Sequence, residues 1–254
     1  MSSMTHGSFN LPRPPPGGLG FGVSGDRPEL LGEDDAFAAP ELERLALACL
    51  ESLDKALIQI TDWRQQGHDL EDIYVRAIAP CARLLGHWWC CDTADFAQVT
   101  IASTNLQRLL HRLSAEFCAP GADHPVGHSL LLTTEPQSQH TMGAFMLGEF
   151  FRRRGWRVEL LNPQDPEDVL THLRRDWFDA VGVSVSSGRQ LQALGALLPR
   201  LRQASPNPQL SVLAGGAMAQ ASPDSMQALQ VDLVGGDARE TVNLLNQLVL
   251  AKKN

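Results

Sequence analysis

One histidine, His140, stands in the segment Thr-Thr-Glu-Pro-Gln-Ser-Gln-His-Thr-Met-Gly (133–143), between the apolar run Ser-Leu-Leu-Leu (129–132) and a helix-like pattern beginning near Met142. Further along, Ser184 lies in Val-Gly-Val-Ser-Val-Ser-Ser (181–187), and the pair Gly215-Gly216 follows Leu-Ser-Val-Leu-Ala (210–214). A neutral imidazole is a good ligand for transition metals. A potential ligand, a small hydroxyl and a paired glycine thus each follow a short β-like run. An open α/β sheet builds a ligand site in this way, in the crevice at the carboxyl ends of its strands.

The elements that must position these residues can be read from the texture of the chain. Residues 1–40 are dominated by Gly, Pro, Ser and acidic residues, including Pro-Arg-Pro-Pro-Pro-Gly-Gly (12–18), and are expected to form a flexible tail. From Glu41, Leu42, Leu45, Leu47, Leu50, Leu53, Leu57 and Ile60 recur at helical intervals through Trp63. Asp69 is an N-cap candidate for a second helix over 70–85, with a break or kink at Pro80. A third helix starts near Asp92 or Asp95 and carries Phe96, Val99, Ile101, Leu106, Leu109, Leu110 and Leu113. Residues 41–118 therefore read as a small helical bundle and 119–127 as a linker.

From residue 128 to 254, strand-like segments at 128–134, 156–161, 179–185, 209–214 and 231–234 alternate with helix-like ones at 142–154, 166–176, 188–204, 222–229 and 238–252. Five βα units with short connections predict a doubly wound, five-stranded parallel sheet of the Rossmann-like or flavodoxin-like kind.

The bulk composition narrows the function classes. With 21 basic and 29 acidic residues the net charge is −8, which argues against broad non-specific nucleic-acid binding. Arg152, Arg153, Arg154 and Arg157 cluster where a helix ends, where they cap and solvate it. There is no apolar run of membrane-spanning length and no secretory signal pattern, so a cytoplasmic protein is expected. The five cysteines show no paired metal-binding spacing. Cys90-Cys91 reads as adjacent buried thiols in a helix or at its end, with redox activity as the second reading. No nucleophile–base pair or acidic dyad suggests hydrolytic chemistry. His124 and His128 read as linker histidines, and His87 as a surface histidine beside two tryptophans.

The three C-terminal pieces together resemble the cobalamin-binding domain family. Its motif is Asp-x-His-x-x-Gly, then Ser-x-Leu about forty residues on, then Gly-Gly about thirty later. Here the counterparts are Ser138-Gln139-His140-Thr141-Met142-Gly143, Ser184-Val185-Ser186 and Gly215-Gly216. The bundle over 41–118 likewise resembles the helical cap that precedes this domain in its relatives. The resemblance implies that His140 is the lower axial ligand of cobalt, displacing the cofactor's dimethylbenzimidazole. It also implies that Gly143 allows close approach of helix and nucleotide tail, that Ser184 hydrogen-bonds the displaced base, and that Gly215-Gly216 leaves room for it.

Two departures shape the expected function. Ser138 stands where the motif has the Asp that orients the histidine and raises its basicity. That loss weakens the tuning from which methyl transfer and mutase chemistry benefit, so the protein is not expected to be an enzyme. Ser186 replaces the motif's Leu, a milder packing change. In the bundle, Leu85-Gly86-His87-Trp88-Trp89 resembles the Leu-Gly-x-x-Trp of CarH-type photoreceptors, whose Trp covers the upper face of the cofactor. Trp88 or Trp89 would serve here, with packing in the bundle core as the alternative for each. The Glu-His pair that follows that Trp in those photoreceptors is Val99-Thr100 in this chain, and a DNA-binding helix-turn-helix ahead of the bundle is not expected from residues 1–40.

This combination, with a Glu-Pro before the histidine, is similar to the AerR/PpaA regulators of purple photosynthetic bacteria. The resemblance implies a light- and oxygen-responsive antirepressor that binds hydroxo-, methyl- or adenosylcobalamin. It would pair with a PpsR/CrtJ-type repressor and touch DNA only through or alongside that partner. A haem sensor, a corrinoid carrier for a methyltransferase, and a fold acting only as an interaction module are the alternatives. The channel at Ser184 and Gly215-Gly216 favours cobalamin over haem, because a corrin brings a nucleotide tail.

Overall fold

The computed structural model describes residues 37–122, 124–136, 138 and 141–253. The expected flexible tail therefore lies outside the described residues up to position 36. Its last residues do not behave as tail. Phe37 is fully buried, with its ring 4.6 Å from both Trp63 and His68, and a helix begins at Ala39.

The bundle opens with α1 (Ala39–Glu51) and α2 (Leu53–Gln65), where the leucine periodicity alone predicted one continuous helix. Ser52 divides them. Its backbone is extended (φ −170°, ψ 159°), and its hydroxyl accepts the Lys55 N–H at 3.2 Å as the N-cap of α2. The Cys49 carbonyl near this break accepts the side-chain amide of buried Asn105 at 2.8 Å.

The expected N-cap at Asp69 is present, accepting from the Asp72 N–H at 2.7 Å. The chain then runs without a break through α3 (Leu70–Asp72), a π-helical segment (Ile73–Ile78) and α4 (Ala79–Cys90). The expected kink at Pro80 is replaced by that widened turn, in which the Ala79 N–H donates to the Tyr74 carbonyl five residues back. Proline has no N–H, and its ring collides with the carbonyl four residues earlier in an ordinary turn; the wider turn relieves both constraints.

The last bundle helix, α5 (Phe96–Ala122), is 27 residues long, about 40 Å at the usual rise. Asp95 and Gln98 cap it reciprocally, at 2.8 and 2.9 Å. It continues past Pro120, four residues beyond the expected boundary at 118, and packs along α6 (Met142–Arg153).

The sheet is five-stranded and parallel, in the order β2-β1-β3-β4-β5. Its strands are β1 (Ser129–Thr133), β2 (Arg157–Leu161), β3 (Ala180–Ser184), β4 (Ser211–Gly215) and β5 (Leu233–Val234). The order 2-1-3-4-5 is the flavodoxin-like one expected from the sequence. The remaining helices are α7 (Pro166–Arg175), α8 (Gly188–Ala204), α9 (Ala217–Ala221), α10 (Pro223–Ala228) and α11 (Ala238–Lys253). The single helix expected at 222–229 is thus preceded by a short additional helix, α9. The edges differ in character: β2 carries the charged Arg157 and Glu159, and β5 is two residues long.

Alternation along the central strands assigns the two faces. Leu130, Leu132, Ala180 and Leu213 join α6, α11 and the bundle in one core. Leu131, Val181, Val183, Val212 and Ala214 pack against α7, α8 and α10 in another. The bundle has no separate core. Phe117 of α5 stacks on Tyr74 at 4.1 Å and meets Phe150 of α6 edge-on at 4.9 Å, so bundle and α/β part share one apolar interior.

Candidate functional site: the crevice at the carboxyl ends of β1, β3 and β4

The sheet reverses its winding between β1 and β3, and the candidate residues gather at that switch point. Ser184 and Gly215 are register partners at the last positions of β3 and β4. Just beyond, the Val185 N–H donates to the Gly215 carbonyl at 2.7 Å, and the Met218 N–H to the Val185 carbonyl at 3.1 Å.

The two glycines differ in what they do. Gly216 has φ +95°, and a Cβ there would lie 2.6 Å from the Val185 carbonyl oxygen, so the backbone itself requires glycine. A Cβ on Gly215 would meet nothing within 4 Å, and the same holds for Gly143 at the start of α6. These two positions leave free space on either side of the crevice.

His140, with Gln137 and Gln139, lies outside the described residues. The described parts of its loop are strapped on both sides. Toward β2, Thr134 Oγ1 donates to Asn162 Oδ1 at 3.1 Å, and Asn162 Nδ2 donates to the Ser138 carbonyl at 3.3 Å. A turn inside the loop is closed by the Ser138 N–H on the Glu135 carbonyl at 3.0 Å. Toward β3, Gln190 Nε2 donates to the Glu135 carboxylate. The Oε1 of the same Gln190 accepts from the backbone N–H of Ser186, from the Ser186 hydroxyl at 3.2 Å and from the Ser187 N–H at 3.2 Å. Ser186 is therefore tied to the His140 loop through one buried glutamine.

Glu135, Asn162 and Gln190 were not legible as site residues. The signals available were the Glu135-Pro136 pair before the histidine and Ser187-x-x-Gln190, a capping-box spacing at the start of α8.

A cavity of about 230 Å³ lies beside the crevice, between α5 and the start of α6. Gln107 and His111 of α5, Thr134, Thr141, Phe145 and Asn162 contribute to its wall. The His111 ring rests 4.4 Å from that of Phe145.

The two tryptophans occupy the last turn of α4. Trp88 packs on the bundle core, whereas Trp89 is half-buried outside that core, and neither lines this cavity. Thr100 spends its hydroxyl on the Phe96 carbonyl at 2.7 Å.

His128 proves to be buried rather than a linker histidine, and it lies at the amino end of β1, about 17 Å of strand away from the crevice. A second cleft of about 640 Å³ opens there. Lys253 at the end of α11 donates to His128 Nδ1 at 3.0 Å and pairs with buried Asp179 at 2.8 Å. Burial and the Lys253 charge hold the His128 pKa below the ordinary histidine value. Burial alone would raise Asp179, but the Lys253 hydrogen bond and the Ser129 N–H outweigh it and leave the carboxyl below its usual range. Lys253 thus bridges His128 and Asp179 across this cleft.

Residues 128–246 match the family described as B12 binding domain. The chain is also 30% identical, over 176 residues, to the uncharacterized 20.5 kDa protein in the bchF-crtJ intergenic region of Rhodobacter capsulatus, spanning 69% of this chain and 91% of that one. The chain belongs to the B12-binding domain family. Among solved structures, the monomethylamine corrinoid protein of Methanosarcina barkeri shares the fold, with a TM-score of 0.69 at 13% identity, over 83% of this chain and all of that one.

The residues present fit the B12-binding family's cofactor. Two glycines that face open space flank the crevice, and two half-buried hydroxyls, Ser184 and Ser186, stand at the ends of the central strands. Among the described residues no cluster of three or more His, Cys, Asp or Glu side chains is placed to hold a bare metal ion. No helix among them is long and apolar enough to cross a membrane.

Proposed function

We propose that this protein is a cytoplasmic, cobalamin-binding regulator, a light- and redox-responsive antirepressor acting through a PpsR/CrtJ-type repressor of photosynthesis genes, and not an enzyme. The observation that carries the cofactor is the register pair Ser184–Gly215, with unfilled space above Gly215 and Gly143 at the sheet's switch point. In this reading His140 would hold the metal, with Ser138 two residues before it in the same loop. Ser184 and Ser186 hold the nucleotide end beside Gly215-Gly216, and Trp88 or Trp89 covers the upper face. Bound cobalamin supplies a cobalt centre whose axial bonds answer to light and redox state.

Ser138 supports a sensor over a catalyst, because its hydroxyl cannot offer the carboxylate charge that raises the basicity of a metal-bound imidazole. The core shared by α5 and α6 supports communication, since a change beside the start of α6 bears directly on the bundle. The link to a CrtJ-type partner is supported by the Rhodobacter capsulatus relative, whose described position is the bchF-crtJ intergenic region.

The test is an absorption spectrum of the purified chain loaded with hydroxocobalamin or adenosylcobalamin, before and after illumination. The expected result is a base-off, histidine-ligated spectrum that His140→Ala abolishes while the protein stays folded. An unchanged spectrum in that variant sinks the ligand assignment. A Soret band at stoichiometric occupancy replaces cobalamin with haem. If neither the dark nor the illuminated form alters repressor binding to DNA, the antirepressor reading fails and the cofactor assignment stands.

A further inference from the structure

The five cysteines fall into two chemical groups. Cys49 and Cys81 are fully buried in the bundle, and the Cys81 thiol is pushed up by its hydrogen bond with Cys49 and by burial. Cys118 is pushed up to about 12 by burial and by the neighbouring Glu149 carboxylate. Such thiols are poor nucleophiles.

Cys90 and Cys91 are different. They are consecutive, free and both exposed where α4 ends, not buried as the sequence led us to expect. His87 lies one helical turn earlier on the same face as Cys91, with Nε2 3.6 Å and Nδ1 3.7 Å from its Sγ.

We propose that Cys90-Cys91 is an oxidation site for hydroperoxides, with Cys91 as the attacking thiol, His87 as its proton acceptor and Cys90 as the resolving thiol. Its chemistry uses no residue of the crevice at Ser184 and Gly215 and requires no bound cofactor. The Cys91 thiol passes its proton to the His87 imidazole, both of whose nitrogens lie within 3.7 Å of the sulfur.

The thiolate then attacks the outer peroxide oxygen. The O–O bond breaks, sulfur is oxidised to sulfenic acid, and the departing alkoxide takes the proton from His87 and leaves as an alcohol. The Cys90 thiol next attacks the Cys91 sulfur, forming the S–S bond and releasing water. Two thiols and one hydroperoxide give one disulfide, one alcohol and one water.

Ring closure has a structural consequence. Consecutive helical side chains diverge by about 100°, whereas a disulfide needs its Cβ atoms about 3.8 Å apart. The last turn must therefore unwind, breaking the bond from the Cys91 N–H to the His87 carbonyl (3.0 Å) and that from the Thr93 N–H to the Trp88 carbonyl (2.8 Å). Both bonds secure the segment that carries Trp88 and Trp89.

The test treats the reduced full-length chain with hydrogen peroxide and follows tryptic peptide 84–108, which contains only these two cysteines, by mass spectrometry. The expected product is an internal disulfide within that peptide. Cys90→Ser should stop at a dimedone-trappable sulfenic acid on Cys91. His87→Ala, with its circular dichroism unchanged, should slow the reaction at least about tenfold. The proposal is overturned by earlier oxidation of Cys49, Cys81 or Cys118, by an unchanged rate in His87→Ala, or by oxidation of Cys90 in Cys91→Ser as fast as that of Cys91 in the parent. A disulfide joining two chains in place of the internal one overturns it equally.

Discussion

Gly215 and Gly216 are neighbours in sequence with opposite reasons for being glycine, and substitution separates them. Gly216→Ala forces a methyl group against the Val185 carbonyl in a left-handed backbone conformation. The expected cost is about 1–3 kcal/mol, read as a lower urea midpoint. Gly215→Ala adds its methyl group to open space, and its unfolding free energy from urea melts should stay within about 0.5 kcal/mol of the parent. On the proposed reading that same methyl occupies the cofactor's space, so cobalamin affinity falls although folding does not. A Gly215→Ala protein that keeps full affinity argues against the crevice as the nucleotide site. The spacing in the sequence identified both glycines as candidates; it carried no information about which one answers to the backbone and which to a ligand.

At the scale of elements, local chemistry explains both what the sequence revealed and what it concealed. Helix α8 runs from Gly188 to Ala204, as predicted, because Ser187 and Gln190 form a capping box at one end and an extended Ser205 closes the other. The three central strands were legible as apolar runs because a parallel sheet buries both of their faces. The division at Ser52 was not legible, since Leu50, Leu53 and Leu57 continue a helical rhythm across it. Only the extended backbone shows that Ser52 serves as a cap. Ser52→Ala removes the acceptor for the Lys55 N–H and should lower stability by about 1 kcal/mol in a thermal or urea melt. A variant as stable as the parent means that the break is set by packing and not by the cap. The straps on the His140 loop were hidden for another reason. Glu135 and Gln190 are 55 residues apart and meet only once β1 and β3 lie side by side.

The whole molecule is closed at its lower end by the terminal turn of α11, where Lys253 engages His128 and Asp179. This arrangement makes stability pH-dependent in a defined direction. The folded pKa of His128 lies below its ordinary value of 6.5, so on acidification the unfolded chain takes up the proton first. Its contribution is complete above that value and is lost as the pH falls through it toward the folded pKa. Asp179, also depressed in the folded state, adds a second loss as the pH falls below 3.8. The melting temperature should therefore decline between about pH 7.5 and pH 5.5, and His128→Asn should flatten that part of the profile. An equal slope in the variant moves the effect elsewhere. Lys253 at the end of α11 and Asp179 just before β3 lie against His128, and Trp156 covers its ring at 5.0 Å.

The borders of the sheet carry a consequence for life in a crowded solution. A parallel sheet that ends in a long, bare, apolar strand invites another chain to add on and grow a filament. Here one border is the two-residue β5, too short to template a neighbour, and the other is β2, whose Arg157 and Glu159 place charge along the rim. Polymerisation through the sheet is blocked at both sides, so assembly with other proteins is left to the helices and loops.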